Sequence, residues 1–251
     1  MVEDFTTAAF LLLVLAAGLE LGFRVGRRSV GGGEPAGGGQ LGAIQGAVLG
    51  LLGLLLGFSF GGAASRFMER QDLVLQEANA IGTAYLRADM LDEPHRSDLR
   101  TSLARYVAHR LELSATLRHG LKPEAKGEIS QLHDEIWRAA SQGARARPAT
   151  MEVVLPPVNE VIDLHSSRMA AGRKHLPVLV MGLLILCSAL AMGVIGYGCG
   201  LSGRRNLLMT GSLAILIAAS LWTTIDLDRP RAGLIQTSDA PLRELQFGAR
   251  G

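Results

Sequence analysis

The sequence is short of charged residues, aromatic residues and cysteine. Only 19% of its 251 residues are charged and 5% are aromatic, whereas soluble domains carry about 25% charged residues. Its cysteines, Cys187 and Cys199, are too few for a disulfide scaffold and lack the CxxC spacing of a zinc site. The formal net charge is only +2, so nothing indicates a nucleic-acid partner. These shortages disfavour a soluble enzyme, a disulfide-stapled domain and a nucleic-acid-binding protein.

Motifs that carry chemistry are also missing. The sequence contains no Walker or kinase signature, and its histidines show no HExxH spacing. One GxSxG run, Gly57–Gly61, lies inside an apolar run and not at the turn from a strand to a helix that a nucleophilic serine of this motif requires. It therefore offers no candidate nucleophile, general base, metal-ligand set or cofactor loop. We expect a protein that is not an enzyme, with no catalytic residues, no cofactor and no metal site.

What the sequence does have is four long apolar runs. A helix needs about 20 apolar residues to cross the hydrocarbon layer of a membrane, and each run meets that length. Because lipid cannot satisfy backbone hydrogen bonds, each run should be helical. The acidic start MVEDF lacks the basic region of a cleaved signal, so the first run is expected to stay as a span. The predicted transmembrane helices are residues 5–26, 41–64, 176–201 and 207–225.

A polar segment, residues 65–174, separates the second span from the third. Apolar residues recur in it at helical spacing, with no competing alternation of strand type, so it is predicted to be a helical extramembrane domain. One of its helices is expected to follow the pair Pro156-Pro157. The other segments outside the spans are a glycine-rich linker and a C-terminal tail: Gly31–Gly39 and residues 226–251. The predicted fold class is an all-α integral membrane protein with four transmembrane helices.

Glycines form a stripe along the second span. They follow at steps of 4, 4, 3, 4 and 4 residues, which places them on one helical face. Since glycine costs about 1 kcal/mol against alanine inside a helix, the stripe needs a reason. Small residues let membrane helices pack closely, or the face lines a pore that aromatic side chains constrict; both interpretations remain open. The glycines are Gly42, Gly46, Gly50, Gly53, Gly57 and Gly61, and the pore-lining candidates are Gly50, Gly53, Gly57, Phe58, Phe60 and Gly61.

The second span is predicted to continue as a helix to about residue 91, because no helix breaker follows it until Pro94. Apolar residues recur along it every seven residues, which is typical either of a coiled-coil-like seam between copies or of a solvated amphipathic face. Arg70 and Glu77, seven residues apart, could pair between identical helices around an axis. The heptad positions are Phe60, Phe67, Val74, Ile81 and Ala88.

Three segments of the sequence resemble those of one known family. They are LLGLLLGFSFGGAASRFMERQDLVLQEANAIGTAYLRADML (Leu51–Leu91), ELGFRVGRR (Glu20–Arg28) and DLDRPRAG (Asp226–Gly233). The family that they resemble is the bacterial bestrophin-like family. The resemblance implies a relation to bestrophins, which are pentameric anion channels with four spans per subunit and a pore lined by the second helix. The consecutive acidic residues of the bestrophin calcium clasp are missing, and only Asp226 and Asp228 occupy that segment.

The resulting hypothesis is a passive, oligomeric, anion-conducting channel for ions such as chloride, in the bacterial inner (plasma) membrane. Its expected partners are further copies of itself, with a pentamer implied by the resemblance, together with lipid and inorganic anions. The alternative is a non-conducting sensor or scaffold whose helical domain binds a partner. The candidates for charge at the pore mouth or between subunits are Arg66, Arg70, Glu77, Asp226 and Asp228.

Two arguments from the sequence place the helical domain on opposite sides of the membrane. Arginines are dense in the two short loops, so the positive-inside rule places those loops in the cytoplasm and residues 65–174 outside. The bestrophin arrangement instead places residues 65–174 in the cytosol. The loop arginines are Arg24, Arg27, Arg28, Arg204 and Arg205.

Overall fold

The computed structural model describes residues 2–29, 38–118, 126–229, 233–245 and 247. Most of the glycine-rich linker lies outside the described residues. The part of the chain that is described contains helices and no strand, so the predicted all-α class is confirmed. The helices are α1 (Val2–Ser29), α2 (Gly38–Arg87), α3 (His95–Arg118), α4 (Lys126–Ala146), α5 (Met151–Arg173), α6 (Val178–Ser202), α7 (Leu207–Asp228) and α8 (Ala240–Arg243).

The chain divides into two compact units. The first, here called the membrane unit, consists of Met1–Ser65, His175–Arg229 and Gly233–Ile235. It holds α1, the first part of α2, α6 and α7. Among the residues that the structure describes, four helices are long and apolar enough to cross a membrane. This is the integral membrane protein with four spans that the sequence predicts. The core of the unit is aliphatic and includes Leu11, Leu15, Leu52, Leu184, Met192 and Leu221.

Glycines bring α1 and α6 into backbone contact. A Cβ atom built on Gly18 would lie 2.5 Å from the carbonyl oxygen of Ala189, and one on Gly22 would lie closer still to that of Gly193. Gly196 faces the Leu19 carbonyl in the same way from the α6 side. Removing side chains lets two membrane helices approach closely, which is the small-residue packing expected in lipid. This α1–α6 glycine seam involves glycines other than those of the α2 stripe.

The second compact unit, here called the helical unit, consists of Arg66–Lys174, Pro230–Ala232 and Gln236–Gly251. Its described part contains the second part of α2, then α3, α4, α5 and α8. Three of the heptad residues, Val74, Ile81 and Ala88, belong to its core. These three residues therefore pack against helices of the same chain. The heptad pattern here marks an intrachain core, and neither a seam between copies nor a solvated face. Other members of this core are Leu99, Leu103, Tyr106, Ile136, Val158, Val161 and Leu242.

Helix α5 begins before the Pro156-Pro157 pair, whereas the sequence suggests that a helix follows it. Both prolines lie inside α5. Proline has no N–H, so Pro157 leaves the carbonyl of Val153 without its helical donor. The guanidinium of Arg87 donates to that carbonyl at 2.8 Å. A side chain from α2 thus replaces the missing backbone bond, which single-sequence periodicity does not reveal.

Candidate functional site

The glycine stripe of α2 faces away from the rest of its own chain. A Cβ atom built on any of its six glycines meets no atom within 4 Å in the described structure. The buried side chains of this part of α2 belong to Leu52, Ser59 and Ala63. At about 100° per residue these three lie on the side of the helix opposite the glycines. Within one chain the stripe is therefore an open surface, here called the glycine face.

The two candidate aromatic residues of α2 are exposed to different degrees. Phe58 is 72% exposed and Phe60 is 44% exposed. Phe60 lies three residues after Gly57, so it borders the glycine face, whereas Phe58 lies about a quarter turn away from Gly57. Only 6% of the most apolar stretch of α2 is buried within the chain, compared with 33% for α7. The first part of α2 is thus covered by its own chain less than α7 is.

The arginines after the glycine face have different environments. Arg66 is half-buried, and it is the first charged residue after the apolar part of α2. Arg70 is buried and donates from Nε to the carbonyl of Ala171 at 3.1 Å and from Nη2 to that of Lys174 at 2.5 Å. Helix carbonyls at a C-terminus lack partners and carry partial negative charge, so a guanidinium there stabilises the end of α5. Arg70 thus binds the end of a helix in its own unit.

Glu77 lies in the interior of the helical unit and has its partners there. Its side chain is fully buried and forms ion pairs with Arg168 and with Arg110, whose Nε lies 3.4 Å from Oε1. The hydroxyl of Tyr106 donates to Oε1 at 2.5 Å. Burial raises the pKa of Glu77, but the two guanidinium groups and the Tyr106 hydroxyl outweigh burial and hold it below its ordinary value. The carboxylate therefore stays charged and has intrachain partners in place of the expected pairing with Arg70 between copies.

Two histidines lie beside the Tyr106 ring and complete what we call the Glu77 cluster. Its members are Glu77, Tyr106, Arg110, His133, His165 and Arg168. The ring centroids of His133 and His165 lie 4.9 Å apart, and those of Tyr106 and His133 lie 5.3 Å apart. Burial lowers the pKa of His133, and burial together with the Arg110 charge lowers that of His165 to about 4. Burial and the Glu77 charge raise the pKa of Tyr106. Both imidazoles are therefore neutral at pH 7.

The sequence gives one signal for this cluster. Glu77 lies three residues after Val74 and four before Ile81, so it shares their face of α2. A carboxylate on a core face must find a partner, since an isolated buried charge is costly. No pattern in the sequence indicates that Arg110 and Arg168 are buried, so the sequence does not identify them as the partners of Glu77.

Asp226 and Asp228, two of the candidates for charge at the pore mouth or between subunits, accept hydrogen bonds from backbone amides of their own chain. Asp226 accepts from the amides of Leu234 at 2.9 Å and Ile235 at 2.8 Å. A Cβ atom at Gly233 would overlap the Asp226 carboxylate, so this close turn requires glycine. Both oxygens of Asp228 accept from the amide of Leu176 at 3.0 Å. The two carboxylates thus fasten the chain segments that flank the ends of α6 and α7.

Comparisons with known proteins agree with this architecture. A family model described as the Bestrophin-like domain matches residues 12–242. Among curated proteins none matches this chain. Among solved structures, a variant of a bacterial bestrophin homologue from Klebsiella pneumoniae has a TM-score of 0.69 at 15% identity, with 93% of each chain covered. A second variant has a TM-score of 0.68 at 16% identity, covering 95% of this chain and 94% of that one. At these identities the likeness concerns the fold.

Proposed function

Because the chain belongs to the bestrophin-like family, we propose that it assembles into a homo-oligomeric, passive channel for inorganic anions such as chloride. The glycine face of α2 lines the pore, and the channel lies in the inner membrane of a bacterium. A pentamer is the stoichiometry that the resemblance to bestrophins implies. No step of this proposal requires a cofactor or a metal.

The observation that carries the proposal is the open glycine face. Six glycines leave the backbone of α2 bare over about five helical turns, and no group in the described part of the chain covers them. One helix cannot enclose a pore, so copies must surround an axis with this face turned inward. A bare backbone supports a wide passage, and Phe60 at its border would narrow it as a hydrophobic constriction.

Charge supports the preference for anions. Arg66 is the first charged residue after the apolar part of α2. It lies three residues after Ala63, on the side of the helix away from the glycine face, so the Arg66 side chains of several copies would surround this end of the pore without lining it. Positive charges around a pore raise the local concentration of anions. Arg70 is not counted with them, because its guanidinium is bound to the end of α5.

Chloride flux from liposomes tests the proposal. We expect the full chain to conduct, and Gly57→Leu to reduce flux at least tenfold because a branched side chain enters the pore. Phe60→Ala should raise flux, because it removes the constriction. Gly182→Leu is the matched control: its glycine on α6 also meets no atom within 4 Å but lies away from the glycine face. A protein that does not conduct, or equal flux for Gly57→Leu and Gly182→Leu, would contradict the proposal.

Stoichiometry separates the channel from the alternative of a sensor or scaffold. Native mass spectrometry of the detergent-purified protein should give a closed ring of at least three copies. A monomer or dimer could not surround a pore with α2 helices, and that result would favour the alternative.

A further inference from the structure

A crevice of about 600 Å³ opens in the membrane unit between α1, α6 and α7. Its walls are apolar and include Phe10 of α1, Met181 and Ile185 of α6, and Ile225 of α7. The volume is in the range of small-molecule sites, about 300–1,000 Å³. These helices span the membrane, so the medium around this crevice is the hydrocarbon of lipid chains.

One end of the crevice is polar. His175 lies just before α6, while Asp228 ends α7 and Arg229 follows it, so all three mark the same end of the unit. The Asp228 carboxylate accepts from the Leu176 amide at 3.0 Å and lies 3.3 Å from Nδ1 of His175. These partners hold the acidic group inside the protein, whereas Arg229 is exposed. A guanidinium binds phosphate oxygens in bidentate fashion.

We propose that this crevice is a phospholipid site, with an acyl chain between α1, α6 and α7 and the phosphodiester on Arg229. The amphipathic layout carries the inference, because an apolar crevice within the spans ends in a cationic group where the spans end. Basic residues at helix ends lie at the depth of the lipid headgroups. A helix from a second copy would fill the apolar walls equally well but would leave the guanidinium without an anion. The proposal does not depend on whether the protein conducts.

Native mass spectrometry with three probes tests the site on the full detergent-purified chain. Dioleoylphosphatidylglycerol provides chains and phosphate, dioleoylglycerol provides the same chains without phosphate, and inorganic phosphate provides the anion alone. We expect the phospholipid to bind about fivefold more tightly than dioleoylglycerol, the factor that one basic residue contributes near an anionic lipid surface. Equal binding of the two lipids, or displacement of the phospholipid by millimolar phosphate, would overturn the proposal.

Two variants separate the headgroup from the chain. Arg229→Gln should remove the fivefold advantage and leave dioleoylglycerol binding unchanged, whereas Met181→Trp should weaken both lipids by filling the crevice. Arg204→Gln is the matched control, since it removes another exposed arginine, from the α6–α7 loop. Because Met181→Trp could also disturb folding, Arg229→Gln is the deciding variant. An unchanged lipid preference in Arg229→Gln, or the same loss in Arg204→Gln, would refute the assignment.

Discussion

The two parts of α2 lie in opposite environments, although they form one helix. Up to Ser65 the helix exposes most of its side chains, including Leu51 and Leu54, each 56% exposed. From Arg66 onward one face of the helix is buried by helices of its own unit, and Glu77 and Ile81 are fully buried on that face. The apolar part is therefore the open part, and the part with charges is the buried one.

This difference follows from the solvent that each part meets. In lipid an exposed leucine costs nothing, so an apolar helix needs no cover from its own chain. In water the hydrophobic effect encloses the apolar face, and any charge on that face must find a partner. The exposed surface of the first part of α2 is thus available to other copies or to lipid. The apolar face of the second part is already covered by helices of the same chain.

The largest expected effect concerns the buried part. Glu77→Gln removes the negative charge that Arg110 and Arg168 share, and of the acidic groups beside these buried guanidinium groups it leaves Asp239, 4.0 Å from Arg168. Breaking a buried ion pair from one side costs about 3–5 kcal/mol. At about 2–4 °C per kcal/mol for a chain of this size, the melting temperature should fall by about 10 °C in a thermal unfolding experiment.

Glu69→Gln provides the control for that prediction. Glu69 lies on the same helix and pairs with Lys174 at 2.9 Å, but both side chains are about half exposed. Exposed pairs contribute about 0.2–1 kcal/mol, so the melting temperature should change little. If both variants melted alike, the contrast between the buried and open parts of α2 would have no energetic basis.

Acidification should act on the buried part alone. The unfolded chain protonates its histidines near pH 6.5, whereas folded His165 has a pKa of about 4 and that of His133 is also lowered. Between these values the unfolded state binds more protons, so the stability is complete above pH 6.5 and declines as the pH falls towards 4. The pKa of Glu77 is lowered as well, which extends the loss below about pH 4.5. The effect should be smaller than that of Glu77→Gln, because both rings are partly exposed.

Melting curves between pH 7.5 and 4 measure this dependence. Protonated imidazoles would face the positive charges of Arg110 and Arg168, with Glu77 and Asp134 as the acidic groups near them. His133→Asn with His165→Asn should flatten the curve between pH 6.5 and 4.5. If the slope of the double variant equals that of the native chain, the titrating groups lie elsewhere.

The sequence predicts the open part of α2 better than the buried part. Span length and glycine spacing depend on neighbours along one helix, so the four membrane helices and the glycine face can be derived from them. The Glu77 cluster cannot, because Tyr106, Arg110 and Arg168 lie 29, 33 and 91 residues further along the chain. The partners of Asp226 could not be predicted either, since they are backbone amides and no particular residue type indicates them. A glycine in a membrane helix does not by itself indicate its surroundings. A Cβ atom on Gly22 would meet a neighbouring backbone, whereas one on Gly57 would meet no atom within 4 Å among the described residues.

The smallest expected effect resolves that ambiguity. Gly57→Ala adds a methyl group to an open face, so it should not lower the melting temperature. The higher helix propensity of alanine should raise the free energy of unfolding by at most about 1 kcal/mol. Gly22→Ala is the matched variant in the α1–α6 glycine seam, and overpacking there should cost about 1–3 kcal/mol because the Gly193 backbone cannot move aside. The melting temperatures of both variants are measured on the assembled protein. If Gly57→Ala destabilised the assembly as strongly as Gly22→Ala, the glycine face would be in backbone contact with another copy. The small-residue interpretation would then hold for α2, and the pore would have to lie on a different surface.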